Sequence, residues 1–235
     1  MSPFISLFLI LYISGCGSSI LKSAETSDPE SEAMVLLEQG KGEAAKDLLQ
    51  SELESNPGNY RLTALLASAE AMLVGIDEIR IALKLAAQSA TSETSESSNE
   101  ISKLFTALPD ATDENIAGLD TAIATMETIP AASRTSSDSF KLTIYFTARL
   151  SLVTKKFDKN GDGEVSGSEL LDLNSTDATS ILATLDSAEA AIAAASGSDA
   201  SSAASASKIS AIKAQIAAQP GATDEEKLEG YLGGA

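Results

Sequence analysis

Between residues 158 and 169 the chain reads Asp158-Lys159-Asn160-Gly161-Asp162-Gly163-Glu164-Val165-Ser166-Gly167-Ser168-Glu169. Oxygen-bearing side chains stand at every second position from Asp158 to Ser166, and a further carboxylate follows at Glu169. Oxygen is the donor that hard divalent cations select, and calcium gathers about six to eight of them at roughly 2.4 Å. Magnesium is the weaker competitor, because it demands a tighter octahedral shell and keeps its water. The rest of the sequence narrows the chemistry further. It has no His, which excludes imidazole bases, His-dependent triads and His-ligated zinc or haem. The one Cys is Cys16, so neither a disulfide within the chain nor a thiolate cluster can form. For an enzyme, only paired carboxylates or a Ser/Lys pair remain, and the acids concentrated at 158–169 are accounted for by a bound cation. The expectation is a non-enzymatic protein.

The segment resembles the EF-hand calcium loop over all twelve positions. The resemblance implies side-chain ligands from Asp158, Asn160 and Asp162, the backbone carbonyl of Glu164, a water-bridged ligand at Ser166 and both carboxylate oxygens of Glu169. It places Gly163 at the sharp turn, where a side chain would be strained, and Val165 in a short strand of the kind that joins paired loops. Asp158, Asp162 and Glu169 would converge, and their repulsion is relieved by a bound divalent cation. The expected cofactor is Ca2+, which would order the loop and stabilise its flanking helices. No second complete loop exists: neither Asp110-Ala111-Thr112-Asp113 nor Asp172-Leu173-Asn174 has the spacing. For such a solitary loop outside the cytoplasm the expected affinity is about 0.1 to 1 mM.

Two helices must hold this loop. Ser139 to Phe157 carries Leu142, Tyr145, Phe146, Leu150, Val153 and Phe157 in one apolar stripe, an entering helix. Glu169, Leu170, Leu171 and Leu173 begin the expected exit helix, which gives a helix-loop-helix over about 139–174. Helical periodicity continues on both sides. Upstream, Asp28-Pro29 reads as N-cap and first helical residue before Met34, Val35, Leu36 and Leu37. Gly40-Lys41-Gly42 and Asn56-Pro57-Gly58-Asn59 are turns around a helix with Ala44, Ala45, Leu48, Leu49 and Leu53. A third helix carries Leu62, Leu65, Leu66, Ala69 and Leu73, and after Gly75 a fourth has Ile79, Leu83 and Ala86.

Ser97 and Glu100 form a capping-box pattern before a helix with Ile101, Leu104, Phe105 and Leu108. Another helix runs from Asp113 with Ile116, Leu119, Ile123 and Met126 as far as Pro130. Downstream, Ser175 or Thr176 caps a helix with Ile181, Leu185, Ala188 and Ile192. After an Ala/Ser/Gly linker come Ile209, Ile212 and Ile216, then a short helix from Asp224 to Leu232. With 43% hydrophobic residues, 4% aromatics and no Trp, the core must be Leu, Ile, Val and Ala, and the fold class is all-α. Short turns between such helices imply antiparallel helical hairpins.

Within residues 30–90 the spacing is similar to a tetratricopeptide repeat. Ala33, Gly40, Ala45, Leu49 and Pro57 fall where that family places small, small, small, large and proline, and after Asn59 a second unit would have its large-then-small pair at Leu66 and Ala67 and its turn at Gly75. Glu52 and Leu36 depart from the pattern, so a generic bundle is the alternative architecture.

The chain begins with an apolar run, Phe4 to Ile13, too short to span a bilayer. It ends in Ile13-Ser14-Gly15-Cys16, which resembles the bacterial lipobox although no Lys or Arg stands in residues 2–15. The resemblance implies removal of a 1–15 signal peptide and acylation of Cys16, while Gly17 in place of Asp implies the outer membrane. Ser-rich residues 16–28 read as a tether reaching about 40 Å. The expected organisation is this lipidated tether, a 29–90 tetratricopeptide-like region and a 99–235 helical region.

A formal charge of −18, from 16 Lys+Arg and 34 Asp+Glu, repels phosphate backbones and excludes nucleic acid as a partner. With no basic patch to assist, several acyl chains are needed for stable anchoring. The expected function is a calcium-binding, membrane-anchored scaffold with an unidentified protein or peptide partner. The alternative is a periplasmic accessory of transport or envelope assembly whose calcium is purely structural. Substituting Cys16→Ser is expected to shift the protein from the membrane to the soluble fraction on cell fractionation; unchanged membrane association would refute the anchor.

Overall fold

Recurrence of Leu, Ile and Ala at three- and four-residue spacing yields helix throughout the computed structural model, which describes residues 28–90, 104–195 and 200–233. Among these residues there are nine α-helices and no strand. They are α1 (Pro29–Glu38), α2 (Gly42–Ser55), α3 (Tyr60–Leu73), α4 (Glu78–Ala90), α5 (Asp113–Glu127), α6 (Ser136–Lys155), α7 (Ser175–Ala195), α8 (Ala200–Ala218) and α9 (Asp224–Leu232). The fold is all-α. The signal segment, Cys16, the tether apart from Asp28, and the Ser97–Glu100 capping pattern lie outside the described residues.

Helix ends follow the local chemistry. Asn59 caps α3 by accepting the Arg61 and Leu62 N–H groups at 3.2 and 3.3 Å, and Thr112 caps α5 through the Asn115 N–H at 3.1 Å. Reciprocal capping boxes, Thr135 with Asp138 and Thr223 with Glu226, start α6 and α9. At α7 the cap is Asn174, whose side-chain oxygen accepts from Thr176 and Asp177 at 2.9 and 3.1 Å. The expected caps Ser175 and Thr176 are instead the first residues of that helix.

Three cores follow one another along the molecule. Ala33, Ala45, Leu49, Leu62, Leu66 and Ala69 join α1, α2 and the outer face of α3. The helices are linked by residues 39–41 and 56–59 and pack on one another, so neighbours run antiparallel. The opposite face of α3, with Ala64, Ala67 and Ala71, meets Ile81 of α4, Leu119 and Met126 of α5, and Leu142, Tyr145 and Leu152 of α6. A third core gathers Phe105, Leu150, Val153 and Phe157 with Ile181 and Leu185 of α7, Ile216 of α8, and Leu228, Tyr231 and Leu232 of α9. Helix α6 serves both of the last two cores, and the six residues of the expected stripe, the last of which (Phe157) lies two residues past the helix, are all buried. Truncating one of its fully buried leucines, such as Leu152, costs about 2–5 kcal/mol.

Some faces differ from the sequence pattern. On α1 the buried residue is Ala33, while Met34 and Val35 are exposed. On α4, Ile81 is buried and the expected stripe residues Ile79 and Leu83 stand 73% and 66% exposed. A stretch in which Ile79, Ile81 and Leu83 alternate offers two candidate faces, and contact with α6 selects the one bearing Ile81. The helix expected around Phe105 is, among the described residues, a short 3-10 turn over Phe105–Ala107.

Close approach explains one glycine. A Cβ on Gly118 of α5 would lie 2.2 Å from Val74 Cγ1, and the stiff valine has few rotamers to escape into. Gly118→Ala is expected to lower stability by about 1–3 kcal/mol. Adding Val74→Ala should restore part of it in denaturant melts, while additive losses would refute the contact.

Candidate metal loop

The loop begins where α6 runs out against fixed partners. Lys155 in the last turn of α6 donates to the carbonyl oxygens of Phe105 and Pro109 at 3.3 and 3.0 Å, and Phe157 is buried in the third core. After the loop, Leu170 is 1% exposed in the same core. The ends of the segment are therefore pinned by apolar anchors, while the span between them, Val165 apart, is left to polar groups.

Those polar groups organise the backbone. Asp158 accepts the Gly161 N–H on Oδ1 at 2.8 Å and the Gly163 N–H on Oδ2 at 3.0 Å. Asn160 Oδ1 accepts from the Asp162 N–H at 2.8 Å, and Asp162 Oδ1 from the Glu164 N–H at 2.9 Å. Gly163 has φ +86°, a left-handed conformation that would strain a side chain. Glu169 closes the loop. Its Oε1 accepts the Lys159 and Asn160 N–H groups at 3.0 and 3.1 Å, and its Oε2 accepts the Ser166 N–H at 2.9 Å and the Ser166 hydroxyl at 2.8 Å. One carboxylate thus ties the first residues of the loop to its second half. The hydrogen bonds from Ser166, then those from Asn160 and Lys159, hold the Glu169 carboxyl down at about 2.

The six expected ligand residues sit on one loop but not around one point. Asn160 Nδ2 donates to Asp162 Oδ2 at 2.8 Å, and Ser166 pairs with Glu169, while the carboxylates of Asp158, Asp162 and Glu169 each turn to amide N–H groups. Among the described residues no three acidic, His or Cys side chains gather at metal-holding distance. Like charges repel, and the nearby N–H groups are the positive ends within reach. The donor set suits a hard cation: carboxylate, amide and hydroxyl oxygens with no nitrogen or sulfur ligand. The flanks differ from expectation. Glu169 is followed only by a 3-10 turn over Leu170–Asp172, and the exit helix α7 starts at Ser175. Leu171 is 76% exposed, so the Leu170-Leu171 pair serves as a single anchor. Val165 forms no strand and is half-buried against the third core.

A second polar cluster was not foreseen. Between α3, α4 and α6, Lys141 Nζ donates to Ser68 Oγ at 2.7 Å and lies 3.8 Å from Glu78. Tyr145 donates to Glu78 and lies 3.4 Å from Ser68 Oγ. Glu70, 7% exposed, accepts the Thr125 hydroxyl at 2.7 Å. Burial, then Glu78, pushes the Tyr145 hydroxyl well above its ordinary value. A Ser–Lys pair can activate a nucleophile, but Ser68 Oγ donates to the Ala64 carbonyl at 3.2 Å while accepting from Lys141. The hydroxyl is engaged on both sides and joins helices. The signal in the sequence was Glu70, a charge between Ala69 and Ala71 on an apolar helix.

No family model, no curated protein and no solved structure matches the chain. Among the described residues no helix is long and apolar enough to cross a membrane.

Because the Glu169 carboxyl sits at about 2 rather than 4.5, its ionised form favours the folded loop. That contribution is complete above about pH 4.5 and is lost as pH falls towards 2. In calcium-free buffer, the difference in melting temperature between wild type and Glu169→Gln is expected to be largest near pH 6 and to shrink through this window. A difference constant from pH 6 to 2 would refute the assignment.

Proposed function

We propose that this chain is a non-enzymatic, calcium-binding, membrane-anchored helical lipoprotein acting as an interaction scaffold. The observation that carries the calcium reading is the frame of the loop. Asp158 holds the Gly161–Gly163 turn, Glu169 clamps both halves, and the available side-chain donors are oxygens. Asp158, Asn160, Asp162, the Glu164 carbonyl, Ser166 and Glu169 would hold the ion. When bound, it supplies the positive charge that lets three carboxylates share one centre. The anchor reading rests on Ile13-Ser14-Gly15-Cys16, with the helical body carried off the bilayer on the Ser-rich tether.

Calorimetric titration of the full chain with calcium and with magnesium tests the reading. One calcium site in the range of about 0.1 to 1 mM is expected, with weaker magnesium binding. At a hundredfold excess over Kd, calcium should stabilise the fold by about 2.7 kcal/mol, and Asp158→Ala or Glu169→Gln should abolish the rise in melting temperature. Equal melting of the wild type in calcium and in chelator would overturn it.

A further inference from the structure

The calcium loop has no second loop to pair with, yet its second half is not left open. At Gly167 the loop backbone runs against Gly233, which ends α9. A Cβ on Gly233 would lie 2.9 Å from the Gly167 Cα and 3.2 Å from its amide nitrogen, whereas one on Gly167 would be 4.0 Å from the Gly233 Cα. The two backbones touch because neither residue carries a side chain. Around this point the same helix supplies Leu228, Tyr231 and Leu232 to the core that also takes Phe157 from before the loop, Leu170 from after it and Val165 from its middle. Helix α9 therefore belongs to the core that anchors the loop at its start, middle and end.

The electrostatics give this contact a direction. The carbonyl end of a helix carries roughly half a negative charge. The end of α9 faces a loop bearing Asp158, Asp162, Glu164 and Glu169 against Lys159 alone. Loop and helix end repel each other, and a bound divalent cation lowers the loop's formal charge from −3 to −1 and so weakens that repulsion.

We propose that α9 is the intramolecular partner of this solitary loop, replacing the second EF-hand, so that divalent-cation binding and the docking of α9 strengthen each other. The inference rests on the calcium reading above. Coupling of this kind is reciprocal: whatever factor the cation adds to α9 docking, α9 adds to cation affinity. The C-terminal helix thereby becomes the element whose exposure reports whether the loop is filled.

The test is hydrogen exchange on the full chain with and without calcium, joined to calorimetry on Gly233→Val and Leu228→Ala. Calcium is expected to slow exchange of the 224–233 amides in the wild type and not in Asp158→Ala. Gly233→Val, whose side chain would crowd both Gly167 and the Glu229 carbonyl of its own helix, is expected to weaken calcium binding about tenfold, and Leu228→Ala to weaken it in the same direction. The wild-type exchange measurement stands even where a variant folds poorly. Calcium binding by the wild type with unchanged exchange in 224–233, and unchanged affinity in Gly233→Val, would overturn the coupling and leave the calcium reading intact. No calcium binding by the wild type would overturn both.

Discussion

Burial of α6 on nearly all its faces is the constraint on which the remainder of the molecule depends. Leu142, Ile144, Tyr145, Ala148 and Leu152 complete the central core with α3, α4 and α5, and Leu150, Val153 and Phe157 enter the core with α7, α8 and α9. A helix with so little solvent-facing surface cannot slide or rotate without opening a cavity on some side. Its C-terminal end is therefore a fixed point, and Lys155 secures it further through the carbonyls of Phe105 and Pro109. The oxygen-rich loop starts three residues beyond the end of the helix, at Asp158. Rigid delivery of that residue is what allows an irregular segment to hold a defined shape.

Charge is distributed in keeping with this division. The body carries a large negative excess, and several of its positive side chains join elements. Arg149 of α6 pairs with Asp120 of α5 and donates to Ser180 and Thr184 of α7. Lys213 of α8 meets Asp186 and Glu189 of α7, both at 2.6 Å. Lys141 connects Ser68 of α3 with Glu78 of α4. The half-buried pairs fix orientation between helices that Ala-rich faces alone would leave loosely specified. The loop is the counter-example, since four carboxylates stand there against one Lys and its backbone N–H groups carry the compensation.

The entering helix was legible because α6 is buried on the stripe that its Leu, Tyr, Phe and Val residues mark out. The same method failed on α4. Ile79, Ile81 and Leu83 offer two faces of similar hydrophobicity, and only the position of α6 decides between them. It failed again after Glu169, where Leu170, Leu171 and Leu173 look like the start of a helix. Burial of Leu170 in the core and capping of the following helix by Asn174 leave room for a single 3-10 turn. The Ser68–Lys141–Tyr145–Glu78 cluster was invisible for a different reason: its members lie up to 77 residues apart, and no local pattern joins them.

The sequence by itself determined the helical class, the turns at Gly40 and Asn56–Asn59, and the alternating oxygens from Asp158 to Ser166 with the carboxylate of Glu169 beyond them, because periodicity, backbone freedom and donor spacing are local properties of the chain. Tertiary structure alone decided which side of α4 is dry, that Glu169 gathers amides from both halves of its loop, and that Gly233 comes to rest on Gly167. Each of these depends on surfaces from distant parts of the chain meeting at close-packed density, and that outcome is set by shape complementarity rather than by the residues of any one segment.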